Sequence, residues 1–235
     1  MRRWGAGIVA LLLLAACSQP IKRKDGASTL RDFSVGHLVK AEGDMLAEIN
    51  QREVLKSLRV LTEKLYRRNP REYRKAGIDS AEAATARLFA ELERWPQSNL
   101  AKTNWQQGFR SSFDEGFQGD RVQTFMGACL VMIMASYGDR AEFYLLDELD
   151  AQKLYNSARN IETVVWKLSS ARQANGAPFL LSNGIEGDIQ NLSFEREFAK
   201  VIAWQDLMAL FVEDRSNRSI TRAAQSAASF VLLPI

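Results

Sequence analysis

Histidine and cysteine are nearly missing from this chain of 235 residues, which holds one His, His37, and two Cys, Cys17 and Cys129. A structural zinc site needs four Cys or His ligands, and most catalytic ones need two or three nitrogens, so the sequence predicts no metal centre. Two cysteines are too few for a disulfide scaffold. Neither C-x-x-C nor C-x-x-C-H occurs, which removes thioredoxin-like exchange and c-type haem attachment. With five Pro and 14 Gly the chain is neither collagen-like nor broadly disordered. Also missing are G-x-x-x-x-G-K-[ST], G-x-G-x-x-G and G-x-S-x-G, and with them the phosphate cradles and the hydrolase elbow. No repeat of solenoid length runs along the sequence. No cofactor is expected.

Long hydrophobic runs are scarce as well. One stands at the N-terminus, where Arg2 and Arg3 precede an apolar stretch from Trp4 to Ala16. It falls short of the roughly 20 residues that a stable membrane-crossing helix needs, and it reads as a cleavable signal. It ends in Leu14-Ala15-Ala16-Cys17. This resembles the lipobox of bacterial lipoproteins, in which a branched apolar residue and two small residues precede the cysteine. The resemblance implies that residues 1–16 are removed, that Cys17 receives a diacylglyceryl group, and that its amino group is acylated. Two or three acyl chains make such an anchor durable where one does not. Ser18 occupies the position where, in that class, an Asp favours inner-membrane retention. The expectation is an outer-membrane lipoprotein facing the periplasm, with display on the cell surface as the open alternative.

Residues 17–28 then form a lipidated N-terminus and a flexible tether rich in Lys22, Arg23 and Lys24. The whole chain has 31 bases against 28 acids, a formal charge of +3. Its basic excess belongs to the leader and the tether, since residues 29–235 carry 26 bases against 27 acids. That body is near neutral, and nucleic acid is not an expected partner.

From about residue 29 the pattern is helical, and the expected fold is a single all-α bundle-like domain of about seven to nine helices over 29–235. Leu38, Ala41, Met45 and Ile49, then Val54, Leu58, Leu61 and Leu65, keep one apolar face with a slip near Asn50, as one helix or two in tandem. Pro70 suits the first turn of a short helix ending at Gly77. Asp79 or Ser80 caps the next, which carries Ala81, Ala84, Leu88, Leu92 and Trp95 inward before Pro96. Trp105, Phe109, Phe113 and Phe117 follow at i,i+4 spacing. Arg121 to Tyr137 is apolar nearly all round and predicts a central buried helix. Asp150 caps a helix with Leu154, Ala158, Ile161, Val165 and Leu168 inward, and a loop or hairpin-like stretch surrounds Phe179-Leu180-Leu181. Ser193 starts a long helix through Phe198, Val201, Ile202, Met208 and Phe211, with a further helix from about Ile220 and an apolar end at Phe230–Ile235.

Chemistry is harder to find. His37 sits on a predicted helix with no partner for a catalytic triad. The carboxylates Glu115 and Glu142 invite comparison with lysozyme-like wall hydrolases, but the Gly- and Gln-bearing motif of those enzymes does not follow either. Asp114, Glu115 and Asp120, with Gly116 and Gly119, miss the spacing of a calcium loop and read as a solvated turn. Asp147, Glu148 and Asp150 suit a helix start, and Cys129 reads as a buried thiol.

Two surfaces remain as binding candidates. Arg67, Arg68, Arg71, Arg74 and Lys75 crowd around a turn with two tyrosines, a patch suited to anionic partners such as lipid phosphates, wall carboxylates or acidic proteins. Local ion pairs to Glu63 and Glu72 would occupy part of it. The stripe Trp105/Phe109/Phe113/Phe117 would line an apolar groove or, more simply, fill the core. The expected role is non-catalytic: an envelope lipoprotein presenting helical surfaces to a protein complex or the cell wall, held to the membrane by its lipid. The alternatives are a carrier of an apolar ligand or lipid in an internal cavity and a peptidoglycan hydrolase using a buried carboxylate.

Overall fold

The computed structural model describes residues 42–144, 149–186 and 189–231, within the unit Lys40–Ile235. Cys17, the tether, His37, Leu38, Ala41, Leu145, Leu146, Asp147, Glu148 and residues 232–235 lie outside them. Among the described residues the architecture is all-α: α1 (Glu42–Arg68), α2 (Pro70–Lys75), α3 (Ala81–Glu93), α4 (Trp105–Ser112), α5 (Arg121–Ser136), α6 (Ala151–Ser170) and α7 (Ser193–Val231). A short 3₁₀ turn covers Leu100–Lys102. Two three-residue strands, β1 (Gly184–Glu186) and β2 (Ile189–Asn191), pair antiparallel with Ile185 opposite Gln190.

Local chemistry sets the helix starts. The side chains of Ser80, Asn104, Asp120 and Asp150 each accept a backbone N–H from the first turn of α3, α4, α5 and α6 respectively, satisfying donors that have no partner within the helix. Pro70 opens α2, where its missing N–H costs nothing. At the other end of α5, Gly138 and Asp139 are both left-handed, with φ of 68° and 60°, and their N–H groups fold back on the carbonyls of Ala135 and Met134.

Helix α5 is the centre. Thirteen of its 16 residues are buried, which explains why it has no polar face: α1, α2, α3, α4 and α6 all pack on it. Gly108 lets α4 come close, because a Cβ there would lie 2.9 Å from that of Ala128. Helix α7 packs along α6 and α1, burying Phe194, Phe198, Val201, Met208 and Val212. At 39 residues it runs ~58 Å.

Three expectations are corrected and one open alternative is decided. Ile49 does not face the core; it is exposed, while Asn50 and Gln51 beside it are buried. The i,i+4 aromatic stripe is not one helical face, since α4 stops at Ser112 and the Asp114 carboxylate takes the Gly116 N–H, turning the chain. Phe179-Leu180-Leu181, read as a loop or hairpin-like stretch, is the loop: it is irregular, with an isolated bridge between Arg172 and Pro178 before it, and the ribbon begins at Gly184. No separate helix starts at Ile220: the backbone of α7 continues through it, with no Gly or Pro between Ser193 and Val231 to stop it.

Candidate functional site

The turn between α1 and α2 gathers the five basic residues in sequence but gives them different partners. Arg67 pairs with Glu63 at 2.6 Å and with Glu82 at 2.7 Å. Its bond to Glu82, with the Glu63 charge behind it, raises the Arg67 pKa. Glu82, held by its own backbone N–H and by Arg67, ionises below the usual carboxylate range. Lys75 is taken by both oxygens of Glu72, at 2.8 and 2.9 Å, and by the Gly119 carbonyl. Arg74 lies 5.9 Å from the centre of the Tyr73 ring. Arg71 is exposed. Arg68 turns toward the ribbon, where its guanidinium would touch a Cβ at Gly184, and its buried Nε has no hydrogen-bond partner. The cluster is thus a set of separate contacts and not one convergent site.

The aromatic residues pack edge to face. Trp105 meets Phe109 at 6.0 Å, Phe109 meets Phe125 at 5.6 Å, and Phe113 bridges Phe125 and Phe179. Phe109 is buried, Trp105 and Phe113 are partly buried against the core, and Phe117 lies beneath Arg121. Arg121 was not legible as an organiser. It is 7% exposed, donates to the carbonyls of Ser112 and Phe117, and lies 5.2 Å from the Phe179 ring centre. It therefore fastens the loop after α4. The sequence signal was its place one residue after a cap and four after Phe117.

The carboxylates are occupied structurally. Asp120 accepts from Tyr66 and from the Gln123 N–H at 2.9 Å each, and burial raises its pKa in spite of those bonds. Burial likewise pushes the Tyr66 and Tyr137 hydroxyls upward. Glu72 accepts the Arg121 N–H as well as Lys75. Glu115 takes the Ala174 N–H, and Glu142 takes the Tyr144 hydroxyl at 2.5 Å. Cys129 is fully buried and free, and burial pushes its thiol up. Among the described residues no group of three His, Cys, Asp or Glu could hold a metal ion.

A polar knot joins four helices in the middle of the bundle. The Tyr137 hydroxyl lies 2.6 Å from Asn50 Oδ1 and 2.8 Å from Gln205 Oε1. The Gln205 amide donates to Ser136 Oγ at 2.9 Å and Ser157 Oγ at 2.6 Å, and Asn50 donates to the Trp204 carbonyl at 2.9 Å. Every member therefore has a partner in a place where an unpaired polar group would be costly.

What sequence reasoning missed is the outward face of α6 and α7. Tyr155, Arg159, Glu162 and Trp166 follow one another at helical spacing on α6. Trp166 is 68% exposed, Leu210 63%, Leu207 50% and Tyr155 47%. The Arg159–Asp206 bridge, at 2.7 Å, ties the two helices across this face. A cleft of about 550 Å³ lies along it, lined by Tyr155, Arg159, Asp206, Leu210 and Glu213 among others. Counting apolar residues assigns Trp166 to the core; counting its angle from Val165 and Leu168 puts it outside. Comparison with protein families, with curated proteins and with solved structures finds no match for this chain.

Proposed function

We propose that this chain is an outer-membrane lipoprotein, anchored through Cys17 and facing the periplasm, with a non-catalytic binding or scaffolding role toward an envelope protein complex or the cell wall. The observation that carries the reading is the α6/α7 face, where a tryptophan, a tyrosine and two leucines stand in solvent around an interhelical ion pair. Exposed aromatic and aliphatic side chains along two neighbouring helices, with charged residues between them, have the make-up of a docking surface. Supporting it, the two carboxylates weighed as catalysts are engaged, Glu115 by the Ala174 N–H and Glu142 by the Tyr144 hydroxyl. No helix among the described residues is long and apolar enough to cross a membrane, so the Leu14–Cys17 motif supplies the membrane attachment in this reading.

Two measurements in cells test it. Cys17→Ala should move the protein out of the membrane fraction; unchanged fractionation overturns the anchor. A photo-reactive residue at Trp166 should give discrete cross-links that one at Arg87, exposed on α3, does not give. Identical patterns at the two positions would rule out the α6/α7 face as the docking surface.

A further inference from the structure

A second cleft, of about 480 Å³, lies between α5 and α6, with Trp105, Asp139, Lys153, Asn156, Ser157 and Asn160 among its lining. Its α6 wall is a regular helical face: Lys153, Asn156, Ser157 and Asn160 stand at i, i+3, i+4 and i+7. Polar residues at that spacing ordinarily face water on the side away from the bundle. Here they line a cleft opposite the end of α5, the most buried helix of the fold, with Lys153 and Asn156 exposed, Asn160 half-buried and Ser157 buried.

The wall side chains are uncommitted. Among the described residues Lys153 Nζ, the Asn160 amide and the Asp139 carboxylate have no ion pair or side-chain hydrogen bond, and Asn156 uses only its oxygen, accepting from Gln152 at 2.8 Å. The floor is the reverse. The Ser136 and Ser157 hydroxyls donate to the carbonyls of Ile133 and Leu154 and accept from Gln205, so they are buried and fixed. At the rim, Asp139 keeps a φ of 60°, a conformation that costs a non-glycine residue energy and that clusters at binding sites. It is held there by its N–H to Met134 and by the Trp95 indole, which donates to its carbonyl at 3.1 Å.

We infer that this cleft binds a segment of glycan, with Asn156, Asn160, Asp139 and Lys153 taking hydroxyl and acetamido groups and the Trp105 indole receiving the apolar face of a pyranose ring. The inference rests on the wall-facing reading above and names the chemistry of its ligand. One cation and one anion in a small site disfavour a free phosphate or a strongly charged peptide. Three polar side chains without a partner and a carboxamide half in use disfavour an acyl chain. Carboxamides and a carboxylate beside a flat indole match a ligand that offers closely spaced donors and acceptors on its edge and C–H groups on its faces.

The full chain, purified in detergent, should bind a β-1,4-linked N-acetylglucosamine trimer in calorimetry and sediment with isolated peptidoglycan sacculi. Asn156 is exposed and Asn160 half-buried on the cleft wall, so Asn156→Ala and Asn160→Ala should fold as wild type, yet weaken trimer binding at least ten-fold. Trp105→Ala should do the same, and Trp166→Ala should have no effect on either probe. Wild-type protein that binds neither probe, or Asn variants that bind like wild type, would overturn the glycan site. Loss of the site with Trp166 cross-links intact would leave the docking face standing, so the two readings fail separately.

Discussion

The Tyr66 hydroxyl donates to Asp120 Oδ2 across 2.9 Å, and through that bond the last turns of α1 are fixed to the first turn of α5. The same carboxylate caps α5 with its other oxygen. Burial raises its pKa above the ordinary 3.8, against the pull of Gln123, Tyr66 and Val122. A carboxyl that holds its proton more tightly folded than unfolded adds stability at low pH, and that increment is lost as pH rises through its folded value. Asp120→Asn keeps a cap and an acceptor for Tyr66 but has no proton to lose. Urea unfolding should therefore show wild type gaining stability relative to the variant as the pH falls from neutrality toward the ordinary carboxylate range. A constant difference across that window would show that Asp120 is not perturbed.

Gln205, fully buried, serves three hydroxyls. Gln205→Leu removes those contacts while Ser136 and Ser157 keep carbonyl acceptors and Tyr137 keeps Asn50. The expected loss is about 1–3 kcal/mol, the size of a few missing bonds and a partly stranded hydroxyl. Denaturant midpoints measured with unchanged slope are the check.

Gly108 poses the opposite test. In most helix interiors Gly→Ala gains about 1 kcal/mol. Here the added methyl would meet the Ala128 Cβ at 2.9 Å, and overpacking of this kind costs about 1–3 kcal/mol. Gly108→Ala should be destabilising, and adding Ala128→Gly should recover most of the loss. Recovery marks a direct contact between α4 and α5, because substitutions without a shared partner add independently.

The parts of the fold that follow from period and punctuation were legible. Leu154, Ala158, Ile161, Val165 and Leu168 lie inward as their spacing requires, and Asp150 and Ser80 cap as their chemistry requires. The apolar slip near Asn50 misled for a physical reason. The buried face of α1 runs through Ala47, Asn50, Gln51, Val54 and Leu58 without interruption, and it looks broken only when amides are counted as outward. Phe113 and Phe117 kept helical spacing after the helix itself had ended, because an Asp-Glu-Gly turn happens to advance the chain by a similar stretch. The two proposed surfaces were the least legible. An exposed Trp166 reverses the usual assignment of its residue type, and the cleft wall that holds a half-buried Asn160 exists only once α5 and α6 are packed together.

The polar knot around Tyr137 has a consequence for the cleft beside it. Apolar helix faces tolerate sliding, since one leucine replaces another with little loss. Hydroxyls and amides do not: moving α7 by one turn, ~5.4 Å, would carry Gln205 away from Ser136, Ser157 and Tyr137 together. The bundle is thereby locked lengthwise at the level where α5 and α6 part, and the floor of the cleft is held rigid before any ligand arrives.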